Sequence, residues 1–253
     1  MLITTSHLIG CGLKSQDGSL GSVADLYFDD FNWTVRYLVA NTGGWLTGRQ
    51  VLLSPESLCE PEPSGKSLKV CLTRDQIQNS PPLDADKPVN RQQEEALRRY
   101  YDWTPYWGTP VADPLRPDVY SPEQAAVVAM ARRKAAPPEQ EKGDPHLRSV
   151  EDVVGYAVEV KDGELGRIHD FIVDTGVWSL RYAVINTAPW LPGRKVLLGA
   201  EWILSVDWDR QTARVELTRD QVRNSPVYEP AKPIDRQLEE KIKAHYGSPA
   251  NFA

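Results

Sequence analysis

Five pairs of polar residues recur at matching places in the two halves of this 253-residue chain: Asp25/Asp170, Arg36/Arg181, Glu56/Glu201, Arg74/Arg219 and Asp75/Asp220. A carboxylate next to an arginine can do acid–base work. Asp25 with Arg36, and Asp170 with Arg181, are the pairs that neighbouring strands would bring together. The same placement serves a cross-strand ion pair, and Asp75 and Glu56 fall where turns and helix starts need a cap, so structural duty is the expectation. Cys11, Cys59 and Cys71 align with Tyr156, Leu204 and Glu216, and the four histidines, His7, His146, His169 and His245, are also unmatched between halves. No CxxC, HxH or HExxH spacing occurs, so no metal, no cofactor and no catalytic residue is expected. The loop Thr42-Gly43-Gly44-Trp45-Leu46-Thr47-Gly48-Arg49 lacks the GxxxxGK[ST] phosphate pattern and reads as a hairpin loop with an aromatic tip. That leaves apolar side chains as interaction candidates. Trp45-Leu46 and Trp190-Leu191 sit at loop tips, where they pack between domains or dock a partner. Trp103, Tyr106 and Trp107 belong to the densest aromatic run, which folds back over a sheet face or offers a peptide-binding surface.

The elements that must position these residues are duplicated. Sliding the chain by 145 positions lays Asp17-Gly18-Ser19-Leu20-Gly21 on Asp162-Gly163-Glu164-Leu165-Gly166 and Trp33, Arg36-Tyr37 and Val39 on Trp178, Arg181-Tyr182 and Val184. Leu72-Thr73-Arg74-Asp75-Gln76 falls on Leu217-Thr218-Arg219-Asp220-Gln221, and Asn79-Ser80-Pro81 on Asn224-Ser225-Pro226. The period is far longer than that of a solenoid, so each copy is a domain. The reading is a first repeat at 1–101, a proline-rich linker at 102–146 and a second repeat at 147–253. Inside the linker, Ser121-Pro122 followed by an alanine-rich run predicts one helix over 121–136.

Within each repeat, alternating apolar positions predict five or six short strands, which suits a small closed or half-closed β-barrel. The strands fall around Leu8–Leu13, Leu20–Phe28, Trp33–Asn41, Arg49–Leu53 and Leu68–Leu72, with counterparts in the second repeat. Asp17-Gly18 and Asp162-Gly163 mark tight turns. Thr73-x-x-Gln76 and Thr218-x-x-Gln221 match capping boxes, and Asn90 and Asp235 cap a second helix ending at Tyr101 and Tyr246. The fold class is mainly β: two small barrels in tandem, each followed by short helices.

This pattern resembles the PRC-barrel family, named for the photosynthetic reaction centre, whose H subunit carries the fold in its cytoplasmic domain. The resemblance rests on Gly21-x-Val23-x-Asp25-x-x-Phe28-Asp29, Val35-Arg36-Tyr37-Leu38-Val39 and Arg49-x-Val51-Leu52-Leu53-x-Pro55. The second repeat gives Gly166-x-Ile168-x-Asp170-x-x-Val173-Asp174, Leu180-Arg181-Tyr182-Ala183-Val184 and Arg194-x-Val196-Leu197-Leu198, with Ala200 in place of Pro55. The resemblance implies tandem PRC-type barrels and no general catalytic motif. The family includes the H subunit, a ribosome-maturation factor and bacterial tandem-barrel proteins.

A net charge of −6 argues against a strongly basic nucleic-acid binder. The longest apolar stretch, Ala125–Ala131, is too short to span a bilayer. The N-terminus lacks a basic region followed by an apolar core, so cytoplasmic residence is expected. Three cysteines, odd and sparse, predict no disulfide framework. The expected function is a non-enzymatic protein-interaction module, a cytoplasmic adaptor or assembly factor with a protein partner. Homodimerisation through the linker helix is a further arrangement the sequence allows. One alternative is a small-ligand binder or enzyme using Asp25/Arg36 and Asp170/Arg181. Another, implied by the resemblance, is a peripheral modulator of a membrane electron-transfer complex.

Overall fold

The computed structural model describes residues 1–46, 50–59, 67–81, 89, 91–104, 106, 147–187 and 194–247. In chain order the strands are β1 (Leu2–Thr4), β2 (Gly12–Ser15), β3 (Gly18–Asp29), β4 (Thr34–Asn41), β5 (Gln50–Leu53), β6 (Ser67–Lys69), β7 (Leu147–Ser149), β8 (Ala157–Val160), β9 (Gly163–Asp174), β10 (Ser179–Asn186), β11 (Lys195–Gly199), β12 (Ile203–Asp207) and β13 (Thr212–Val215). The helices are α1 (Thr5–Leu8), α2 (Arg74–Gln78), α3 (Arg91–Tyr101), α4 (Val150–Val153), α5 (Arg219–Arg223) and α6 (Arg236–Tyr246). The chain is mainly β. The expected linker helix over 121–136 and Asn90 lie outside the described residues.

Two compact units emerge, and each contains a strand from the other repeat. One unit holds Ser6 onward and ends its second segment at Glu151; the other joins Met1–Thr5 to the chain from Asp152 on. In the first unit the ladder runs β6–β2–β3–β4–β5, with β6 parallel to β2 and the other pairs antiparallel. In the second it runs β12–β13–β8–β9–β10–β11, with β13 parallel to β8. Among the described residues neither ladder closes on itself.

The hub of each unit is a twelve-residue strand, β3 or β9. β4 lines one edge of β3 from Ser22 to Asp29, while β2 covers the opposite edge only from Gly18 to Ser22. The far end of that edge is taken by β7 of the second repeat, with Tyr27, Phe28 and Asp29 opposite Ser149, Arg148 and Leu147. β1 of the first repeat fills the same place on β9, Leu2, Ile3 and Thr4 lying opposite Asp174, Val173 and Ile172. An open edge of unpaired N–H and C=O groups is costly to bury and invites foreign strands. The reciprocal donation covers that edge at Tyr27–Asp29 and at Ile172–Asp174.

Local sequence explains the frame. Gly21 and Gly166 sit at φ +108° and +149°, and a Cβ at either would lie 2.0 or 2.1 Å from the carbonyl oxygen of Asn41 or Asn186. Only glycine lets the neighbouring strand approach so closely. Thr73 and Thr218 form full capping boxes with Gln76 and Gln221, as their spacing predicts. Asp235 caps α6 by accepting from the Leu238 amide at 2.8 Å.

Three expectations change. The third strand is expected to alternate around Val35, Tyr37 and Val39, but β4 is buried at every position from Thr34 to Ala40. Its Tyr37–Val39 side is roofed by Val89, Leu97, Trp103 and the donated Leu147. The first strand starts later than Leu8, at Gly12, because Thr5–Leu8 is a helical turn. Cys59 and Cys71 are joined by a disulfide with Cα atoms 5.5 Å apart, against the expectation of no framework. They are twelve residues apart in sequence and meet across an antiparallel bridge, with Cys59 N donating to Lys69 O and Cys71 N to Ser57 O. Sparse cysteines gave no sign of that pairing. Cys11 remains a thiol and donates to the His7 carbonyl at 3.0 Å.

Because β7 belongs to the core of the first unit, Leu147→Ala should destabilise that unit by about 2–5 kcal/mol. Amide exchange in β4 should accelerate while that in β10 stays protected. Accelerated exchange in β10 with an undisturbed β4 would contradict the donation.

Candidate functional site

A register shift places the central arginine. Along β4, Tyr37 pairs with Tyr27 and Val35 with Phe28, so Arg36 is the extra residue of a bulge. Bulges re-aim a side chain relative to the pleat. Arg36 is 1% exposed, and its Nη2 lies 3.1 Å from Asp29 Oδ2. Its guanidinium stacks over the Tyr106 ring, 3.8 Å from the centroid. Arg98, brought in by α3, approaches the same ring with its guanidinium 4.7 Å from the centroid. Arg98 also donates to the Tyr37 hydroxyl at 3.1 Å, to Glu56 Oε1 at 3.2 Å and to the Thr104 carbonyl. The Tyr106 hydroxyl donates to Glu94 Oε1 at 2.7 Å. Thr104 is thus gripped by its backbone and Tyr106 by its ring. Buried charges are tolerable here because every one named has an opposite charge or a donor, and desolvated cation–π stacking adds to the grip.

The second repeat carries the same frame in a more open form. Tyr182 pairs with Ile172 and Leu180 with Val173, so Arg181 is again the bulged residue. Arg181 Nη2 lies 3.6 Å from Glu239 Oε1, and those side chains are 24% and 25% exposed. The Tyr182 hydroxyl donates to the same oxygen at 3.2 Å. Lys243 stands at the place of Arg98, and Asn251, outside the described residues, at the place of Tyr106.

The recurring aspartates do other work. Asp25 Oδ2 accepts from the Ser149 hydroxyl at 2.5 Å, and Oδ1 from the amides of Leu26 and Glu151. It therefore fixes the donated β7 and the first turn of α4. Asp170 Oδ1 accepts from the Thr5 hydroxyl at 2.5 Å and from the Phe171 amide at 2.8 Å, holding the end of β1. Bulges at Ala24 and His169 turn the chain just ahead of both carboxylates. The expected Asp25–Arg36 and Asp170–Arg181 pairs do not form: Arg36 takes Asp29 and Arg181 takes Glu239. The bulges explain it, since they rotate the arginines away from the register that plain alternation assumes.

Burial pushes the Asp25 carboxyl above its ordinary range, outweighing the hydrogen bonds from Ser149, Leu26 and Glu151. Tyr37, Tyr106 and Tyr182 are all driven far above the usual phenol range, first by burial and then by the glutamate each faces.

Of the other interaction candidates, Trp103 is buried, stacked on Tyr101 with centroids 4.4 Å apart, and belongs to the core rather than to a docking surface. Leu46 is also buried. The Trp45 side chain, Trp107, Trp190 and Leu191 lie outside the described residues. Glu94, Arg98, Glu239 and Tyr182 were missed as site residues; the signal available was Glu94/Glu239 and Tyr37/Tyr182 recurring beside Arg36/Arg181. No protein-family model matches the chain, and no curated protein matches it. Among the described residues no helix is long and apolar enough to cross a membrane.

Two pH dependences follow. The folded chain holds the Asp25 proton more tightly than an unfolded chain whose carboxyl titrates near 3.8. That contribution is full below the unfolded value and is lost as pH rises through the raised one. Wild type should therefore lose stability relative to Asp25→Asn on going from acid to neutral pH; an unchanged difference in denaturant titrations would refute it. For the tyrosines, the unfolded chain ionises near 10.0 while the folded sites stay protonated, so stability should fall above about pH 10. Tyr106→Phe should reduce that alkaline loss and cost about 1.5–3 kcal/mol at pH 7, because Glu94 loses a donor; urea unfolding measures both.

Proposed function

We propose that this chain is a non-enzymatic protein-interaction module, an adaptor or assembly factor made of two PRC-type barrels in tandem. One observation carries the reading: each unit already receives a chain segment from elsewhere in the sequence through recognition geometry. β1 and β7 are taken by strand addition with a hydroxyl locked to Asp170 or Asp25. The segment 103–106 is taken by an arginine–tyrosine stack. Strand addition and aromatic anchors at cationic pockets are common ways of binding a protein partner. The recurring aspartates are committed to holding strands, which weakens the competing reading of an acid–base pair.

Trp45 and Trp190 remain the proposed outer anchors, being apolar residues that the sequence places at loop tips. Cytoplasmic residence, the expectation for so sparse a set of cysteines, competes with the Cys59–Cys71 bond, since thiols are kept reduced there.

The test is an affinity capture from native lysate with wild type beside a folded Trp45→Ala/Trp190→Ala variant, read by mass spectrometry. A stoichiometric protein captured by wild type and lost with the variant is the expected result. Identical bands in both, with none stoichiometric, would count against the module and favour small ligands at two equivalent sites.

A further inference from the structure

The two arginine bulges present one receptor in two states. In the first unit the receptor is filled: the Tyr106 ring lies against Arg36 and near Arg98, its hydroxyl reaches Glu94, and Glu94 and Arg36 are essentially inaccessible to solvent. In the second unit the corresponding Arg181 sits on the same bulge beside Tyr182 but pairs with Glu239 where Arg36 pairs with Asp29, and about a quarter of the Arg181 and Glu239 side-chain surface is exposed. Glu239 Oε1 is shared by Tyr182 and Arg181, and among the described residues Oε2 takes no hydrogen bond. A carboxylate oxygen awaiting a donor beside an accessible guanidinium face is what Tyr106 satisfies in the other copy.

We propose that Arg181, Tyr182 and Glu239 bind a tyrosine side chain from a partner protein, presented in a sequence like Thr104-Pro105-Tyr106. This rests on the interaction-module reading and names the partner's chemistry. The ring stacks on the Arg181 guanidinium, and the phenolic hydroxyl donates to Glu239 as Tyr106 donates to Glu94. A phenylalanine lacks the donor. A phosphotyrosine brings negative charge against Glu239 and has no proton to give it at neutral pH. The site therefore selects unmodified tyrosine.

The experiment titrates a synthetic peptide of residues 102–109, DWTPYWGT, into the full chain by calorimetry. Saturable binding at one site per chain is expected, weakened about tenfold by replacing the peptide tyrosine with phenylalanine, a hydrogen bond to a charged group being at stake, and abolished by phosphorylating it. Arg181→Ala and Glu239→Gln, each checked for an unchanged melting transition, should each weaken binding at least tenfold. Absence of saturable binding at millimolar peptide, or binding indifferent to both variants, overturns the proposal. Binding that appears only after removal of residues 248–253 also overturns it, because the chain's own end would then be the occupant. Lysate capture with Glu239→Gln separates the two readings. A partner retained by this variant, together with a negative titration, leaves the module standing and removes this site.

Discussion

The length of β3 and β9 is the constraint on which both units depend. Each hub strand has twelve residues, and its own repeat pairs its C-terminal eight along only one edge. At Tyr27–Asp29 and Ile172–Asp174 the other edge is completed by three residues from the other repeat. Three residues of strand are too little to hold by ladder bonds alone, because each also loses backbone entropy. A buried carboxylate adds the missing specificity: Asp25 grips Ser149 and the Glu151 amide, and Asp170 grips Thr5. Leu147 then enters the first unit's core beside Tyr37, Leu97 and Trp103. Neither repeat alone contains its complete sheet. Duplication is part of the fold's stability, not only its history.

On this shared frame the two copies diverge where charge is buried. The first copy closes its arginine bulge with Tyr106 and a second guanidinium from Arg98, so that Asp29, Glu94 and Arg36 can lie away from water with partners. The second copy has Lys243 in place of Arg98 and leaves Arg181 and Glu239 partly hydrated. Solvent relieves the desolvation cost there without a plug. In one copy the arginine bulge is part of the core, and in the other it is partly exposed.

The sequence made the duplication, the strands, the tight turns and both capping boxes legible, because each depends on residues a few positions apart. Thr73 and Gln76 form their box in isolation from the rest of the chain. The long-range features were hidden. Nothing in Leu2–Thr4 or Leu147–Ser149 distinguishes a donated strand from one paired at home, since three residues carry no usable period. The Asp/Arg pairing failed because alternation assumes an unbroken pleat, while four register shifts, at Ala24, Arg36, His169 and Arg181, re-aim the residues that matter. Trp103 was legible as an aromatic in a cluster but not as core, because its burial depends on α3 turning back over β4. Cys59 and Cys71 meet only once the hairpin between them exists.

A raised carboxyl pKa in a buried place is often read as a catalytic acid, and Asp25 has both properties. Its hydrogen bonds give it a structural duty that accounts for both properties. Oδ1 takes two backbone amides and Oδ2 a serine hydroxyl. A general acid or base must exchange its proton with a substrate atom within hydrogen-bond reach, and three of the four acceptor directions of Asp25 are taken by the chain itself. The perturbation measures how far the strand lock has been taken out of water. Arg181 and Glu239 show the complementary case: their charges are less buried, and Glu239 still has an oxygen to offer. In this fold the more buried carboxylate holds a strand in place, and the more exposed one pairs with an arginine that water still reaches.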